Sequence, residues 1–528
     1  MAMAAMTLSL QTKIALAAIN KKRKTEFSFL KPLQFKSVSA AYHNDAMIVL
    51  PTGYGKSLIF EVIMNMTKKK CIIISPLNAI ILEQSKRLGS EAVIVDTSLI
   101  SEIKKGSSDI LKSSYTYLLC HPEDILKKEV CDILCTDSWQ KEITHIFIDE
   151  AHCVVQWGHE FRPDYMKISK LRSVFPESKF VALTATATKL MIREITDILL
   201  MKSFTTISAC VDRPNVKITI IKRLPSAGGK NTAEESFKQV MEPLLRSLCD
   251  DADNFPKTIV YSKLKWCGNG YNMVCQEAAK ESDPNAVIQR VSQYHSACTD
   301  QMKKIIVDDM ADVNGNISLL FATEAYGMGA DAPNIRRIIH YGPPTSVETY
   351  MQEIGRAGRD GLQSEAVLYF NNNDLGGNTP VRDEVKQFCR LKSCRRQFLC
   401  KHFDWECVAL LIKHNCCDIC KVDCNCIECL SNSAFDDLDV AEDDKEGTPS
   451  QLQTLLASYF QLENDLVDMP KSEIFTGLSS ELVHEIVKNC LSYKSAEEIC
   501  RKFPFLKFEY ACNIFKIILN VKSECPEV

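Results

Sequence analysis

The sequence of 528 residues lacks both a long apolar run and an excess of one charge. No uncharged apolar stretch of about 20 residues occurs, so we expect no membrane-spanning segment and no membrane partner. Lys and Arg number 63 against 67 Asp and Glu, and the net charge of −4 excludes a wholly basic nucleic-acid binder. It does not exclude a locally basic groove, because a summed charge hides where the charges lie. The 46% apolar fraction excludes a disordered or fibrous chain.

Cysteine is the residue in excess, with 24 positions. Polar side chains interrupt the first 19 residues and the basic run 21–24 follows them, which is not the order of a secretory signal. We therefore expect a reducing compartment, where cysteines are thiols or metal ligands. The same basic run predicts a protein of the nucleus, with a solvated helix end as the alternative.

Short β-branched apolar runs alternate with helical stretches from about residue 46 to 372. Continuous apolar strands separated by helices are typical of parallel sheets buried on both faces. The pattern predicts an α/β fold with two parallel-sheet domains, whose ligands bind at the carboxyl ends of the strands. The predicted strands are 46–50, 71–75, 117–120, 144–148 and 180–183, then 258–261, 318–321, 337–341 and 366–370.

The composition changes beyond residue 372. Residues 382–401 hold seven basic and two acidic side chains, and a Cys/His cluster follows to residue 429. Residues 436–446 hold seven acids and one lysine, which is typical of a solvated linker. The predicted divisions are an N-terminal extension or helix 1–24, a nucleotide-binding domain 25–208, a second α/β domain 209–372, a small helical zinc-binding subdomain 373–430, an acidic linker 431–450 and a C-terminal helical module 451–528 of undefined role.

A phosphate-binding loop is the sharpest local signal. Residues 50–57 read Leu-Pro-Thr-Gly-Tyr-Gly-Lys-Ser, directly after a predicted strand and before a helix. Glycines let backbone N–H groups turn towards phosphates, Lys56 reaches the β- and γ-phosphates, and Ser57 can bind Mg²⁺. Leu50 stands where the strict motif has glycine, so the match is to its relaxed form. The candidate residues are Thr52, Gly53, Gly55, Lys56 and Ser57.

Two carboxylates and two arginines complete a candidate site for phosphoryl transfer. Asp149 and Glu150 follow the strand 144–148, where the first can bind Mg²⁺ and the second can orient or deprotonate water. Arg356 and Arg359 are three residues apart, share a helix face and can neutralise charge on the γ-phosphate. Surface ion pairs are the commoner role for such arginines taken alone.

Together these motifs resemble the RecQ family of superfamily-two DNA helicases, over roughly residues 27–420. The run Gln-Glu-Ile-Gly-Arg-Ala-Gly-Arg-Asp-Gly at 352–361 is the most specific match. The resemblance implies two RecA-like domains, ATP with Mg²⁺ as cofactors, and 3′→5′ movement on single-stranded and tailed duplex DNA. It assigns adenine recognition to Phe27, Lys31 and Gln34, and DNA contact or coupling to His152, Thr184, Thr186, Asp331 and Gln352.

An aromatic-rich segment follows Asp149–His152, and in the RecQ family it senses single-stranded DNA. Trp157 and Phe161 offer faces for base stacking, worth about 1–3 kcal/mol per base. Arg162 supplies a phosphate or cation–π partner, and His159 a polar coupling group. Burial of the aromatic pair as core is the structural alternative.

Cys394, His414, Cys417 and Cys420 have a spacing that suits one tetrahedral structural Zn²⁺. The RecQ zinc-binding subdomain resembles this array but has cysteine where His414 stands, so Cys416 competes for the fourth place; we favour His414. The family often continues with a winged helix, and the acidic stretch begins too soon after Cys420 for one of the usual size. The alternatives to a DNA helicase are therefore a DNA- or RNA-dependent translocase with weak unwinding and a zinc-containing DNA-binding scaffold.

Overall fold

A computed structural model describes residues 2–25, 27–105, 115–158, 162–223, 230–327, 332–377, 379–407, 413–424, 493–502, 511 and 515. The chain divides into two compact units. Unit 1 holds residues 1–211 together with 402–405, and unit 2 begins at residue 212 and holds most of the rest. The acidic linker 431–450 and most of the C-terminal module 451–528 lie outside the described residues. None of the described helices combines the length and apolarity needed to cross a membrane.

Unit 1 is built on one seven-stranded sheet in which every strand pair is parallel. The strand order is β3-β4-β2-β5-β6-β1-β7. The central strands β2, β5, β6 and β1 are neighbours, so the loops that follow them emerge side by side. The strands are β1 Asp45–Val49, β2 Lys70–Ile74, β3 Ala92–Val95, β4 Tyr117–Cys120, β5 Ile143–Ile148, β6 Lys179–Thr184 and β7 Phe204–Ser208.

Unit 2 contains a second parallel sheet, of six strands, in the order β10-β11-β9-β12-β13-β8. Two such sheets confirm the predicted α/β architecture with two parallel-sheet domains. The strands are β8 Val216–Lys222, β9 Thr258–Tyr261, β10 Val291–Tyr294, β11 Leu319–Ala322, β12 Arg337–Tyr341 and β13 Ser364–Phe370.

Helices connect the strands, as parallel pairing requires. Up to residue 211 they are Ala2–Arg23, Pro32–His43, Lys56–Thr67, Asn78–Leu88, Thr97–Lys104, Pro122–Ile125, Lys128–Leu134, Asp137–Glu142, His152–Gln156, Leu171–Val174 and Lys189–Ile198, with 3-10 turns Gly89–Glu91 and Pro163–Lys170. From residue 212 they are Lys230–Asp250, Leu264–Ala278, Pro284–Ile288, Asp300–Ala311, Val347–Ile354, Asp383–Arg390, Arg395–His402, Asp418–Val422 and Ala496–Lys502, with 3-10 turns Glu324–Gly327, Asn373–Leu375 and Lys413–Asn415.

Both faces of the unit 1 sheet are buried. Met47 and Val49 of β1 join one core cluster, whereas Ala46 and Ile48 of the same strand join another. Successive side chains of a strand point to opposite faces, so the two clusters lie on opposite sides of the sheet. This double burial explains the continuous apolar runs that predicted the strands.

The N-terminal helix Ala2–Arg23 packs on unit 1 and buries Leu16 and Ile19. At its end, Arg23 forms an ion pair with the buried carboxylate of Glu61, which also pairs with Arg87 at 3.3 Å. Glu61 lies on the helix that follows the phosphate-binding loop. The segment predicted as an extension is therefore attached to the nucleotide-binding unit through apolar burial and a buried ionic group.

His145 on β5 provides a test of this fold by pH. Burial lowers its pKa to about 4, and its Nε2 lies 3.1 Å from the Ala41 carbonyl. The unfolded chain protonates this histidine near pH 6.5, so native stability falls as the pH drops from 6.5 towards 4, by up to about 1.4 kcal/mol per unit. We predict that His145→Gln removes about 2 kcal/mol of the stability difference between pH 7 and pH 5.

Hydrogen exchange of the β5 amides at the two pH values, corrected for intrinsic rates, measures this difference. His43→Gln, at an exposed position, is the matched control and leaves the difference as in the parent protein. An equal pH dependence in His145→Gln and the parent would contradict the prediction.

Candidate active site

The phosphate-binding loop lies between β1 and the helix Lys56–Thr67. Gly53 and Gly55 have φ values of +77° and +84°, a left-handed conformation that favours glycine. A Cβ on Gly55 would also lie 2.5 Å from Gln34 Nε2. The backbone angle therefore favours glycine here, a larger residue would also displace the Gln34 amide, and the helix N-terminus that follows suits an anion.

The predicted adenine-recognition residues adjoin this loop. Gln34 Nε2 donates to the carbonyls of Tyr54 at 2.9 Å and Gly55 at 3.2 Å, and its Oε1 accepts from the Lys31 backbone N–H at 2.9 Å. The Lys31 ammonium lies 5.4 Å from the centre of the Tyr54 ring. Phe27 is 42% exposed, so its face is accessible for stacking. A nucleotide base bound here would contact Gln34, the same side chain that holds the phosphate-binding loop.

Asp149 and Glu150 stand at the carboxyl end of β5, as the sequence predicts. Asp149 accepts hydrogen bonds from Gln84 Nε2 at 2.8 Å and from the Glu150 backbone N–H at 3.0 Å. Burial, and then the charge of Glu150, raise the pKa of Asp149 to about 6, against the opposing effect of the Lys56 ammonium. Lys56 Nζ donates to the Leu50 carbonyl at 3.1 Å. Thr52 and Ser57 are half-buried in the same loop.

A buried polar chain joins the end of β5 to the end of β6. His152 Nδ1 lies 3.0 Å from Thr184 Oγ1 and 3.4 Å from a Glu150 carboxylate oxygen. Thr184 Oγ1 donates its proton to the Thr186 carbonyl at 3.2 Å, so it accepts from His152, whose Nδ1 must carry the hydrogen. Hydrogen bonds thus connect the predicted coupling residues His152, Thr184 and Thr186, and His152 lies beside the Glu150 carboxylate without a hydrogen bond to it.

Trp157 directly follows the short helix His152–Gln156. It is half-buried, packs against the unit 1 core and makes an edge contact with Tyr165 at 6.5 Å between ring centres. The next residue must be glycine, because a Cβ on Gly158 would lie 2.3 Å from the Val154 carbonyl. The structural alternative is therefore correct in part, since one portion of the indole is core and the rest is accessible. His159 and Phe161 lie outside the described residues.

Arg162 is already paired. Its Nε and Nη2 donate to both carboxylate oxygens of Glu123, at 2.6 and 2.7 Å, and its Nη1 donates to the Pro76 carbonyl. Pro76 belongs to the Ser-Pro-Leu segment that follows β2. A nucleic-acid phosphate that binds Arg162 would compete with Glu123 for its guanidinium.

In unit 2, the Arg356 guanidinium is 2% exposed and lies 5.3 Å from the Tyr326 ring centre. Arg359 and Gln352 are half-buried, and Asp331 lies outside the described residues. Arg356 is therefore not the surface ion-pair arginine that the alternative interpretation expected.

Four thiols form a compact cluster in the cysteine-rich segment. The Sγ atoms of Cys394, Cys416, Cys417 and Cys420 lie within 4.8 Å of one another. Hydrogen bonds with the neighbouring thiols of Cys394 and Cys416 lower the pKa of Cys417 well below its ordinary value. The fourth thiol is Cys416, so the preference for His414 as fourth ligand is wrong.

The local backbone explains this correction. His414 lies in the turn Lys413–Asn415 that precedes the cluster, and its Nδ1 is 3.5 Å from Cys424 Sγ. The next residues pair with β8, since the Ile218 N–H donates to the Cys416 carbonyl at 3.3 Å and Ile218 bridges Cys417. Pairing to the strand brings two adjacent cysteines into the cluster.

Comparisons with known proteins agree with this geometry. The DEAD/DEAH box helicase family matches residues 31–194, and the helicase conserved C-terminal domain matches residues 242–361. The ATP-dependent DNA helicase RecQ of Haemophilus influenzae is 30% identical over 70% of this chain and 58% of its own length. The mouse bifunctional 3′-5′ exonuclease/ATP-dependent helicase WRN is 29% identical over 78% of this chain. The chain carries the two domains of a superfamily-two helicase, and it is similar to RecQ helicases over about 70% of its length.

The RecQ relatives are longer than the region they share with this chain. It spans 58% of the Haemophilus protein and 29% of the mouse protein. Among solved structures, DUF1998 helicase MrfA bound to DNA aligns with a TM-score of 0.54 and 16% identity, over 76% of this chain and 56% of that one. At that identity the likeness establishes the fold alone, which is that of RecA-like helicase domains.

Two residues of the candidate site escaped the sequence interpretation. Gln84 holds Asp149, but a glutamine in a helix carries no signal of its contact. Arg213 donates from Nη1 to the Gly355 carbonyl at 2.9 Å and from Nη2 to the Ala357 and Gly358 carbonyls, both at 2.8 Å. It therefore fixes the backbone that carries Arg356 and Arg359 from a position more than a hundred residues away, where only tertiary structure reveals it.

We predict that Arg213→Lys lowers the ATPase turnover number by about tenfold, because one ammonium cannot hold carbonyls that a planar guanidinium fork reaches together. Nucleotide affinity, measured separately with a fluorescent ATP analogue, changes little, since the phosphate-binding loop lies in unit 1. Arg337→Lys, which alters a half-buried pair with Glu365, is the matched control. Equal turnover in Arg213→Lys and Arg337→Lys would show that the loop needs no such support.

Proposed function

We propose that the protein is an ATP-dependent DNA helicase that couples ATP hydrolysis to 3′→5′ translocation on single-stranded DNA. One observation carries the proposal: His152 Nδ1 lies 3.4 Å from a Glu150 carboxylate oxygen and 3.0 Å from Thr184 Oγ1, which donates to the Thr186 carbonyl. It links the residues suited to hydrolysis with those suited to contact DNA. A nucleotide-binding protein that does no mechanical work has no need of this link.

Hydrolysis would use the residues that the sequence predicts for phosphoryl transfer. Lys56 and the loop N–H groups would bind the ATP phosphates, and Glu150 would orient or deprotonate the attacking water. Ser57 and Asp149 would hold Mg²⁺, which supplies positive charge to the phosphates when bound. Arg356 and Arg359 would neutralise the charge that develops on the γ-phosphate.

Mg²⁺ fits this donor set. The Asp149 carboxylate is a hard oxygen ligand at a strand end, and its raised pKa marks an anion that burial disfavours without a nearby cation. Lys56 supplies part of that positive charge from its place in the phosphate loop. The site is therefore built for an additional cation that arrives with the nucleotide.

DNA binding would act through the segment that begins at Trp157. A base stacked on the accessible part of the indole would lie beside Arg162, whose guanidinium would move from Glu123 to a phosphate. That movement would also free the Pro76 carbonyl and shift the backbone, because the Arg162 N–H donates to the Trp157 carbonyl at 2.7 Å. His152 lies five residues from Trp157 and would transmit the shift.

The four-cysteine cluster would hold one structural Zn²⁺. A tetrahedral ion with Zn–S bonds of about 2.3 Å separates its sulfurs by about 3.8 Å. The Cys394 and Cys416 sulfurs are 3.6 Å apart, so the cluster fits such an ion with little movement. The ion would fix the segment that pairs with β8 in unit 2.

Localisation to the nucleus belongs to the same proposal. It depends on the basic run 21–24, in which Lys22 pairs with Glu91 at 2.6 Å and Arg23 pairs with Glu61. An import receptor would have to compete with these pairs.

We predict that the protein displaces a strand from a 3′-tailed duplex and not from a 5′-tailed one, with Mg²⁺ and ATP present. Lys56→Ala abolishes both displacement and ATP hydrolysis, because it removes the ammonium that the phosphate-binding loop supplies to the β- and γ-phosphates. Lys36→Ala, in the preceding helix, is the control for a lysine outside the loop. Hydrolysis without displacement on either substrate would favour the translocase, and no hydrolysis by the zinc-loaded protein would favour the scaffold.

We predict that Trp157→Ala lowers DNA stimulation of the ATPase at least about tenfold, since it removes one stacking platform. Trp157→Phe keeps an aromatic face and most of the stimulation, which separates stacking from mere loss of core volume. The measurement is the ratio of stimulated to basal rate, with single-stranded DNA and RNA compared at matched salt. Full stimulation of Trp157→Ala would rule out the indole as a DNA sensor, and stronger stimulation by RNA would favour the RNA-acting alternative.

A further inference from the structure

A second group of potential metal ligands lies in unit 2, apart from the four-cysteine cluster. One carboxylate oxygen of Asp212 and the Sγ atoms of Cys400 and Cys407 lie within 4.8 Å of one another. Asp212 precedes β8, Cys400 lies in the helix Arg395–His402, and Cys407 follows that helix. The carboxylate comes from a part of the sequence far from the two thiols, so only the tertiary structure assembles the set.

The setting of these side chains differs from that of a cysteine used as a small core residue. Cys71 and Cys120, for example, lie inside sheet strands, where burial raises the pKa of each thiol well above its usual value. Cys400 is only 1% exposed, yet it shares its surroundings with the Asp212 carboxylate and a half-buried second thiol. A carboxylate is an uncommon neighbour for a cysteine that serves as a small apolar core residue. It is an ordinary neighbour for a cysteine that binds a metal ion.

Charge balance favours the same conclusion. Arg396 is 1% exposed and donates from Nη1 to Asp212 Oδ1 at 2.6 Å. Two thiolates and one carboxylate carry three negative charges, which Arg396 and one divalent cation neutralise together. A buried group of charges is tolerated when it is neutral as a whole. Binding would deprotonate both thiols, so M²⁺ and two Cys–SH groups would give the dithiolate complex and two released protons.

The same guanidinium also reaches the first cluster. Arg396 Nη2 donates to the Val216 carbonyl at 2.6 Å and to the Cys416 carbonyl at 3.5 Å. Arg396 therefore holds the backbone of one thiol cluster and the carboxylate of the other group in a fixed relation. This shared support fixes the Asp212 carboxylate of the second group.

We propose that Asp212, Cys400 and Cys407 form a second site for a thiophilic divalent cation such as Zn²⁺. Bonds of about 2.3 Å to sulfur and about 2.1 Å to oxygen would draw the three atoms together by roughly 1 Å, within the range of side-chain rotation. The fourth tetrahedral position falls to water. The site is independent of the zinc assigned to the four-cysteine cluster under the proposed function.

The test is metal content by mass spectrometry of the full chain, purified with zinc under reducing conditions. The parent protein should contain about two zinc ions per chain, and Cys407→Ser about one. Cys407 is half-buried, so its replacement should leave the thermal unfolding temperature near that of the parent. Cys275→Ser, at a half-buried cysteine in the same unit and outside both groups, should keep about two ions and serves as the control.

Cys420→Ser makes the two zinc assignments separable. It should remove the ion of the four-cysteine cluster and keep the one at Cys407. A parent with about one ion that is lost in Cys407→Ser and kept in Cys420→Ser would support the second site while the first assignment fails.

Cobalt(II) substitution gives an independent readout. Charge-transfer absorption scales with the number of thiolate ligands, and Cys407→Ser should lower it by about one third, since the second site supplies two of six thiolates. Unchanged zinc content in Cys407→Ser would overturn the proposal. So would a mass 2 Da below the reduced value, located to a Cys400–Cys407 disulfide in the reduced, zinc-loaded protein.

Discussion

Burial of the unit 1 sheet on both faces is the constraint on which its candidate site depends. Parallel strands in such a sheet end at one edge, and the backbone that leaves them there must turn in loops. Because β2, β5, β6 and β1 are adjacent, four loops emerge together: the Ser-Pro-Leu segment, the Asp149–His152 segment, the Thr184–Thr186 segment and the phosphate-binding loop. The polar side chains of the site meet because the apolar strands beneath them pack in this order.

Single hydrogen bonds then connect the loops in pairs. Gln84 joins the helix after β2 to Asp149, His152 joins the end of β5 to Thr184, and Arg162 joins the following segment to Pro76. Each link is buried or half-buried, where an unmade hydrogen bond costs about 1–3 kcal/mol. A change in one loop therefore affects its neighbour, as the proposed coupling of hydrolysis to nucleic-acid movement requires.

In unit 2, arginine side chains hold loops in place. Its loop 355–358 has no regular structure to fix it, and the Arg213 guanidinium substitutes by binding the backbone carbonyls. Burial, followed by the nearby charge of Arg359, lowers the pKa of Arg213 to about 10, which still leaves it charged at neutral pH. Beside the cysteines, Arg396 likewise binds the Val216 and Cys416 carbonyls and the Asp212 carboxylate. A planar fork with five donors suits both places, because the acceptors are fixed carbonyl and carboxylate oxygens.

The strand predictions show where sequence reasoning succeeds and fails. All nine predicted strands are present, and the four that were missed, β3, β7, β8 and β10, are the edge strands of the two sheets. Edge strands are partly exposed, as in β7, where Phe204, Thr205 and Thr206 are all exposed. They need no continuous apolar run, and polar residues interrupt β7, β8 and β10. The strand β3 reads Ala-Val-Ile-Val, so it carried the apolar signal and was overlooked.

By itself, the sequence determined the elements whose chemistry is local. The phosphate loop, the Asp-Glu pair after a strand and the arginine-rich run are read within a few residues, because backbone angles and side-chain spacing specify them. Tertiary structure decided what depends on distant partners. Pairing with β8 selected Cys416 over His414, folding brought Gln84 to Asp149 and Glu123 to Arg162, and it placed Asp212 beside two cysteines. These contacts join positions far apart in the chain, and spacing carries no information about them until the sheets have formed.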